Sequence, residues 1–153
     1  MAYKGCMRIE TIITHDETYT FTPDDGSEEI NIWSGRLRKA LLQYAMDKVI
    51  YLTFPVQPME EIYRNHGIEQ AHMATMTAEE AAEPVIVGLW PDGTHILIDG
   101  AHRRAWHALR GNNVLRGWAV PYELWNKFTF KAEDVAGGFI DHSGMFNPHR
   151  MKP

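Results

Sequence analysis

Residues 84–121, PVIVGLWPDGTHILIDGAHRRAWHALRGNNVLRGWAVP, restrict the fold more than any other part of the chain. Two aliphatic runs, 85–90 and 95–99, flank Trp90-Pro91-Asp92-Gly93. Proline in the second position and glycine in the fourth fit a type I turn, so a strand, a tight turn and a returning strand are predicted. Gly100 then lets the chain bend where a Cβ would clash. Residues 101–110 read as a helix whose apolar positions, Ala101, Ala105, Trp106, Ala108 and Leu109, face the sheet, and Gly111 stops it. A further strand is predicted over 114–120, closed by Pro121.

The segments around this unit are shorter. Residues 7–14 (MRIETIIT) and 18–22 (TYTFT) are rich in β-branched residues and read as two short strands. Pro23 to Ser27 form a turn cluster on an exposed loop. Ser34 is a candidate N-cap for a helix running to about Lys48, because Leu37, Ala40, Leu41, Tyr44 and Ala45 make one apolar stripe. Arg36, Arg38 and Lys39 fall in its first two turns, where cations oppose the helix dipole. They are either a solvated face or a basic edge for a phosphate or an acidic partner. Residues 49–56 (VIYLTFPV) read as a buried strand. Pro58 suits a first helical position, with Glu60 and Glu61 behind it and an end near Gly67. Residues 68–76 give another short helix, and Thr77-Ala78-Glu79-Glu80 is a capping-box pattern. Residues 122–130 are aromatic-rich and expected to pack on the domain, and 131–153, with Gly137-Gly138, Gly144, Pro148 and Pro153, read as a loose arm or a segment ordered by a partner.

Composition bounds the function classes. With 153 residues, 44% of them hydrophobic, one α/β (α+β) domain over 1–130 is expected, a small mixed sheet with flanking helices, followed by the arm at 131–153. The formal charge of −5 excludes a globally basic nucleic-acid footprint, although local basic patches are compatible with it. The one cysteine, Cys6, rules out an internal disulfide and any Cys-x-x-Cys metal or redox pair. No apolar run has the length of a signal peptide or a bilayer span, so a cytoplasmic location without membrane contact is expected.

The candidate chemistry sits at the bend, Asp99-Gly100-Ala101-His102-Arg103-Arg104. A helix N-terminus exposes backbone N–H groups and partial positive charge, and a glycine turn lets a phosphate approach them. Arg103 and Arg104 add guanidinium forks, and His102 adds a donor or, alternatively, a group of the type that titrates near neutral pH. Asp99 is placed to orient His102, bind a metal or hold the turn. The same residues also fit a plain turn followed by the wet face of a helix. His66, His72, His95, His107, His142 and His149 show no metal spacing, and no Walker motif occurs. Glu60-Glu61 and Glu79-Glu80 are candidate carboxylates for Mg²⁺, with capping and solvation as the simpler reading. Trp118, Tyr122 and Trp125 are assigned to core packing ahead of base stacking.

The order Pro84-Val85-Ile86-Val87, Asp92-Gly93, Asp99-Gly100-Ala101-His102-Arg103, Ala105 and Gly111 resembles the ParB/sulfiredoxin superfamily. Gln57-Pro58 and the short helices before Pro84 echo the same layout upstream. The resemblance implies a phosphate-binding elbow on Gly100, His102 and Arg103. Sulfiredoxins carry a catalytic cysteine where this chain has Ala101, so sulfinic-acid reduction by that route is not expected. ParB partition proteins bind CTP in the equivalent domain and read DNA with a helix-turn-helix, which residues after Pro121 do not resemble. The chain is therefore similar to stand-alone ParB-like proteins of plasmids and phages.

The leading expectation is nucleotide binding, with ATP or CTP and Mg²⁺, extending to hydrolysis in a plasmid- or phage-related DNA process. Gly100, Ala101, His102, Arg103 and Arg104 would hold the phosphates, and His102 and Asp99 would carry the acid–base work. The alternatives are a DNA-binding nuclease using the same elbow, and a non-enzymatic adaptor whose C-terminal arm binds a protein partner.

Overall fold

The computed structural model describes residues 17–131, except 24, 25, 65–67 and 69. The strand expected at 7–14, Cys6, the helix end near Gly67, His66, and the arm from 132 on lie outside the described residues. The architecture is α+β: a three-stranded sheet and a four-stranded mixed sheet, with short helices beside them. The described residues gather into two compact units. One comprises 17–46 with 121–131, the other 47–120.

In the first unit, β1 (Tyr19–Phe21), β2 (Ile30–Ile32) and β7 (Thr129–Phe130) form an antiparallel sheet in the order β1-β2-β7. Helix α1 spans Ser34–Tyr44 and buries Leu37 and Leu41, while Tyr44 is 81% exposed. Ser34 is not the cap. Trp33 occupies that position without a side-chain cap, and the Ser34 hydroxyl instead donates to the Glu17 carbonyl at 3.3 Å. The helix stops at Tyr44, short of Lys48, and Met46–Lys48 form a 3-10 turn. Arg36 is neither a solvated cation nor a basic edge. It is 3% exposed, with its guanidinium 4.5 Å over the Trp33 ring, and that ring stacks at 4.2 Å on Phe130. The flat, weakly hydrated guanidinium can be buried against an aromatic face where an ammonium could not. Helix α6 (Tyr122–Trp125) contributes Trp125, 1% exposed, to the interior of this unit.

The second unit holds β3 (Ile50–Thr53), β4 (Val85–Leu89), β5 (His95–Asp99) and β6 (Val114–Val120) in the order β3-β6-β4-β5. Strands β4 and β6 are parallel, and the other pairs are antiparallel. The sequence placed a buried strand at 49–56, but β3 lies at the sheet edge, with Ile50 49% and Tyr51 75% exposed. Its apolar content feeds the core through Phe54 and Leu52, which pack on Val85, Val87 and Leu115. Gly117 makes the central strands' approach possible, since a Cβ there would lie 2.6 Å from the Val85 carbonyl oxygen.

Helices α2 (Met59–Arg64), α3 (Gln70–Thr75) and α4 (Ala78–Ala81) precede β4, and α5 (Ala101–Ala108) joins β5 to β6. Pro58 stands one position before α2, its carbonyl accepting from Glu61 and Ile62. The capping box forms as read: Thr77 Oγ1 accepts from the Glu80 amide at 3.1 Å, and Glu80 Oε1 from the Thr77 amide at 2.8 Å. The apolar face of α5 meets helices more than sheet. Ala105, Ala108 and Leu109 pack with Ile62 and Met73, while Ala101 is exposed.

Candidate functional site at the amino end of helix α5

The hairpin β4–β5 delivers the chain to this site. Gly93 N donates to the Trp90 carbonyl at 2.9 Å, closing the expected turn, and Asp92 accepts from the Thr94 amide at 2.9 Å and from its hydroxyl. These bonds hold the Asp92 carboxyl below its ordinary 3.8, the Thr94 hydroxyl first among them. Strand β5 ends at Asp99, opposite Ile86, beside a register shift between Ile86 and Val87.

Gly100 turns the strand into the helix with φ +115°, in the left-handed region. A Cβ at this position would also fall 2.5 Å from Val85 Cγ1 and 3.2 Å from an Arg103 guanidinium nitrogen. Glycine is thus demanded twice, by conformation and by space. It caps α5 without any side-chain hydrogen bond, and the first helical bond runs from Arg104 N to the Gly100 carbonyl at 2.8 Å. The amides of Ala101, His102 and Arg103 therefore belong to the turn in which helices lack internal acceptors.

Arg103 points to carboxylates. One terminal nitrogen is 3.1 Å from Asp99 Oδ2 and the other 3.3 Å from Glu83 Oε1. Its side chain is only 12% exposed, and Nε is buried with no hydrogen-bond partner. His102 stacks on His72 of α3, with ring centroids 4.4 Å apart and planes 15° from parallel. Arg104 turns elsewhere: its guanidinium lies 4.9 Å over the Phe54 ring and donates to the Pro55 carbonyl at 3.5 Å. Gly100, Ala101, His102, Arg103 and Asp99 are thus brought together, and Arg104 faces a second environment. No family model, no curated protein and no solved structure matches this chain.

Two residues of this cluster carry no sequence signal for it. Glu83 is 20 positions from Arg103 and meets it only because the hairpin folds back. His72 has no helical spacing to His102 and meets it across two helices. His107, by contrast, is structural. Its Nε2 lies 2.8 Å from the Ala81 carbonyl, so Nε2 must carry the proton, leaving Nδ1 to accept from Asn112 Nδ2 at 3.2 Å. Among the candidate metal carboxylates, Glu80 is engaged in its cap, and among the described residues no group of three or more His, Cys, Asp or Glu could hold an ion. Trp118 and Trp125 are 2% and 1% exposed, placing both in the interior. No helix among the described residues is long and apolar enough to cross a membrane.

Proposed function

We propose that this protein binds a nucleotide through its phosphates at the amino end of α5. The observation that supports the reading most is Gly100. It opens the helix in a left-handed conformation and leaves the first turn of amides without a side-chain cap. A phosphate oxygen is the natural acceptor for such amides, and the helix dipole adds to the attraction. His102, at the second helical position, donates to a phosphate oxygen or moves a proton on it. Asp99 and Glu83 hold Arg103 in a fixed pose and neutralise it, so it shapes the turn more than it attracts the phosphate. In this reading Mg²⁺ arrives on the nucleotide, with Asp99 as the nearest carboxylate of the elbow, and hydrolysis uses His102 and Asp99.

The test is calorimetric titration of ATP, CTP and GTP, with and without Mg²⁺, into the wild type and into His102→Ala and Arg103→Ala. Saturable binding, weakened about tenfold in His102→Ala as expected for a lost charge-assisted bond, supports the site. Binding of none of the three nucleotides overturns it. Phosphate release under the same conditions then decides whether the protein is a hydrolase.

A further inference from the structure

We infer that the pocket beside Arg104 binds the carboxylate of a short aliphatic acid, at a site separate from the amino end of α5. The pocket has a volume of about 50 Å³ and is lined by Phe54, Pro55, Val56, Ala108 and Leu115 together with Arg104. One water needs roughly 10–15 Å³ of such space, so a carboxylate and a carbon or two fit.

Arg104 carries five donors, and among the described residues one is used, in a long 3.5 Å bond to the Pro55 carbonyl. Among the described residues no carboxylate pairs with it, whereas its neighbour Arg103 has two. Burial pushes the Arg104 guanidinium below its ordinary range, and the Glu61 carboxylate offsets this in part. A half-buried cation with spare donors, set against carbon walls and an aromatic face, gains most from a singly charged, planar acceptor with an apolar body. A carboxylate matches the fork geometry. Inorganic phosphate, small, multiply charged and strongly hydrated, gains nothing from the apolar walls. Glu61, bonded to Gln57 at 3.5 Å, is the acidic group that opposes such a ligand.

The experiment is NMR titration of the full chain with butyrate, with butyramide as the uncharged isostere, and with inorganic phosphate. Expected is saturable binding of butyrate, with shifts centred on Phe54, Val56 and Ala108, and affinity at least about tenfold above butyramide and phosphate, the ratio a charge-assisted pair supplies. Arg104→Gln abolishes the preference, Arg104→Lys retains part of it, and Glu61→Gln tightens binding by about threefold, as a nearby like charge is removed. Butyramide or phosphate binding as well as butyrate overturns the proposal, and so does the absence of saturation. The wild-type comparison of acid and amide decides even where a variant fails to fold.

Discussion

Arg103 and Arg104 are adjacent in sequence and point about 100° apart around the same helical turn. One side of α5 presents Asp99 and Glu83, and Arg103 binds both. The other presents Phe54 and the Pro55 carbonyl, and Arg104 lies across them with no carboxylate partner among the described residues. Two identical side chains thus do different work. Arg103 is a neutralised strut, and Arg104 is a cation with spare donors. The lesson is electrostatic: cations counted at a helix start do not measure its attraction for anions until the counter-charges are known. In the nucleotide-binding proposal, the backbone amides and His102, more than the two guanidinium groups, would face an incoming phosphate.

The largest test of this comparison removes the turn that aims both arginines. Gly100→Ala combines left-handed strain with overlap against Val85, and is expected to cost about 3 kcal/mol or more in urea unfolding. A cost near zero would mean that the turn does not set the two directions. Next comes the pair itself. Arg103→Gln leaves Asp99 and Glu83 without the mostly buried guanidinium that pairs both, for an expected loss of about 2 kcal/mol. Arg104→Gln gives up one long hydrogen bond and a contact with Phe54 while removing a half-buried charge, so its effect stays within about 1 kcal/mol. Equal costs for the two variants would break the distinction.

Smaller effects sharpen the carboxylate side. Glu83 is 56% exposed and Asp99 24%, so Asp99→Asn is expected to cost about 1 kcal/mol and Glu83→Gln no more than about 0.5, because solvent screens the outer partner. The reverse order in chemical denaturation would show that Glu83 is the principal anchor. The smallest effect supplies a reference, a carboxylate held chiefly by a threonine instead of an arginine. Thr94→Val should return the Asp92 carboxyl towards its ordinary 3.8, read by NMR titration. Because the folded value is depressed, the stabilisation it lends is present above that range and fades as pH falls through the folded value. The difference between wild type and Thr94→Val should therefore vanish in strong acid, and one that persists there has another origin.

Several elements were legible because their determinants are local. The turn at 90–93, the bounds of β5 and β6, the bend at Gly100 and the Thr77–Glu80 capping box each depend on a few neighbouring residues and appear where the sequence placed them. Strands β2 and β7, only three and two residues long, carry no sequence signal of their own and exist through pairing, β2 with β1 and β7 and β7 with β2. Strand β3 was read as buried because apolar β-branched runs look alike at an edge and at a centre, and only sheet order separates them. Ser34 was read as a cap by type, but Trp33 took that place and the hydroxyl found the Glu17 carbonyl 17 positions away.

The candidate site divides in the same way. The sequence by itself determined that a glycine-led bend would open a helix carrying His102, Arg103 and Arg104, since backbone conformation at glycine and helical spacing are properties of contiguous residues. Only the tertiary structure decided that Glu83 closes on Arg103, that His72 covers His102, that Arg36 is buried under Trp33, and that Arg104 faces a pocket instead of the bend. Apart from the local Trp33–Arg36 contact, each of those outcomes depends on the direction of one side chain relative to a distant partner. Burial of a Val, Leu, Ile or Phe side chain contributes about 1.5–3 kcal/mol, several times a typical exposed ion pair, so packing places the backbone first and the charges settle among whatever partners it brings.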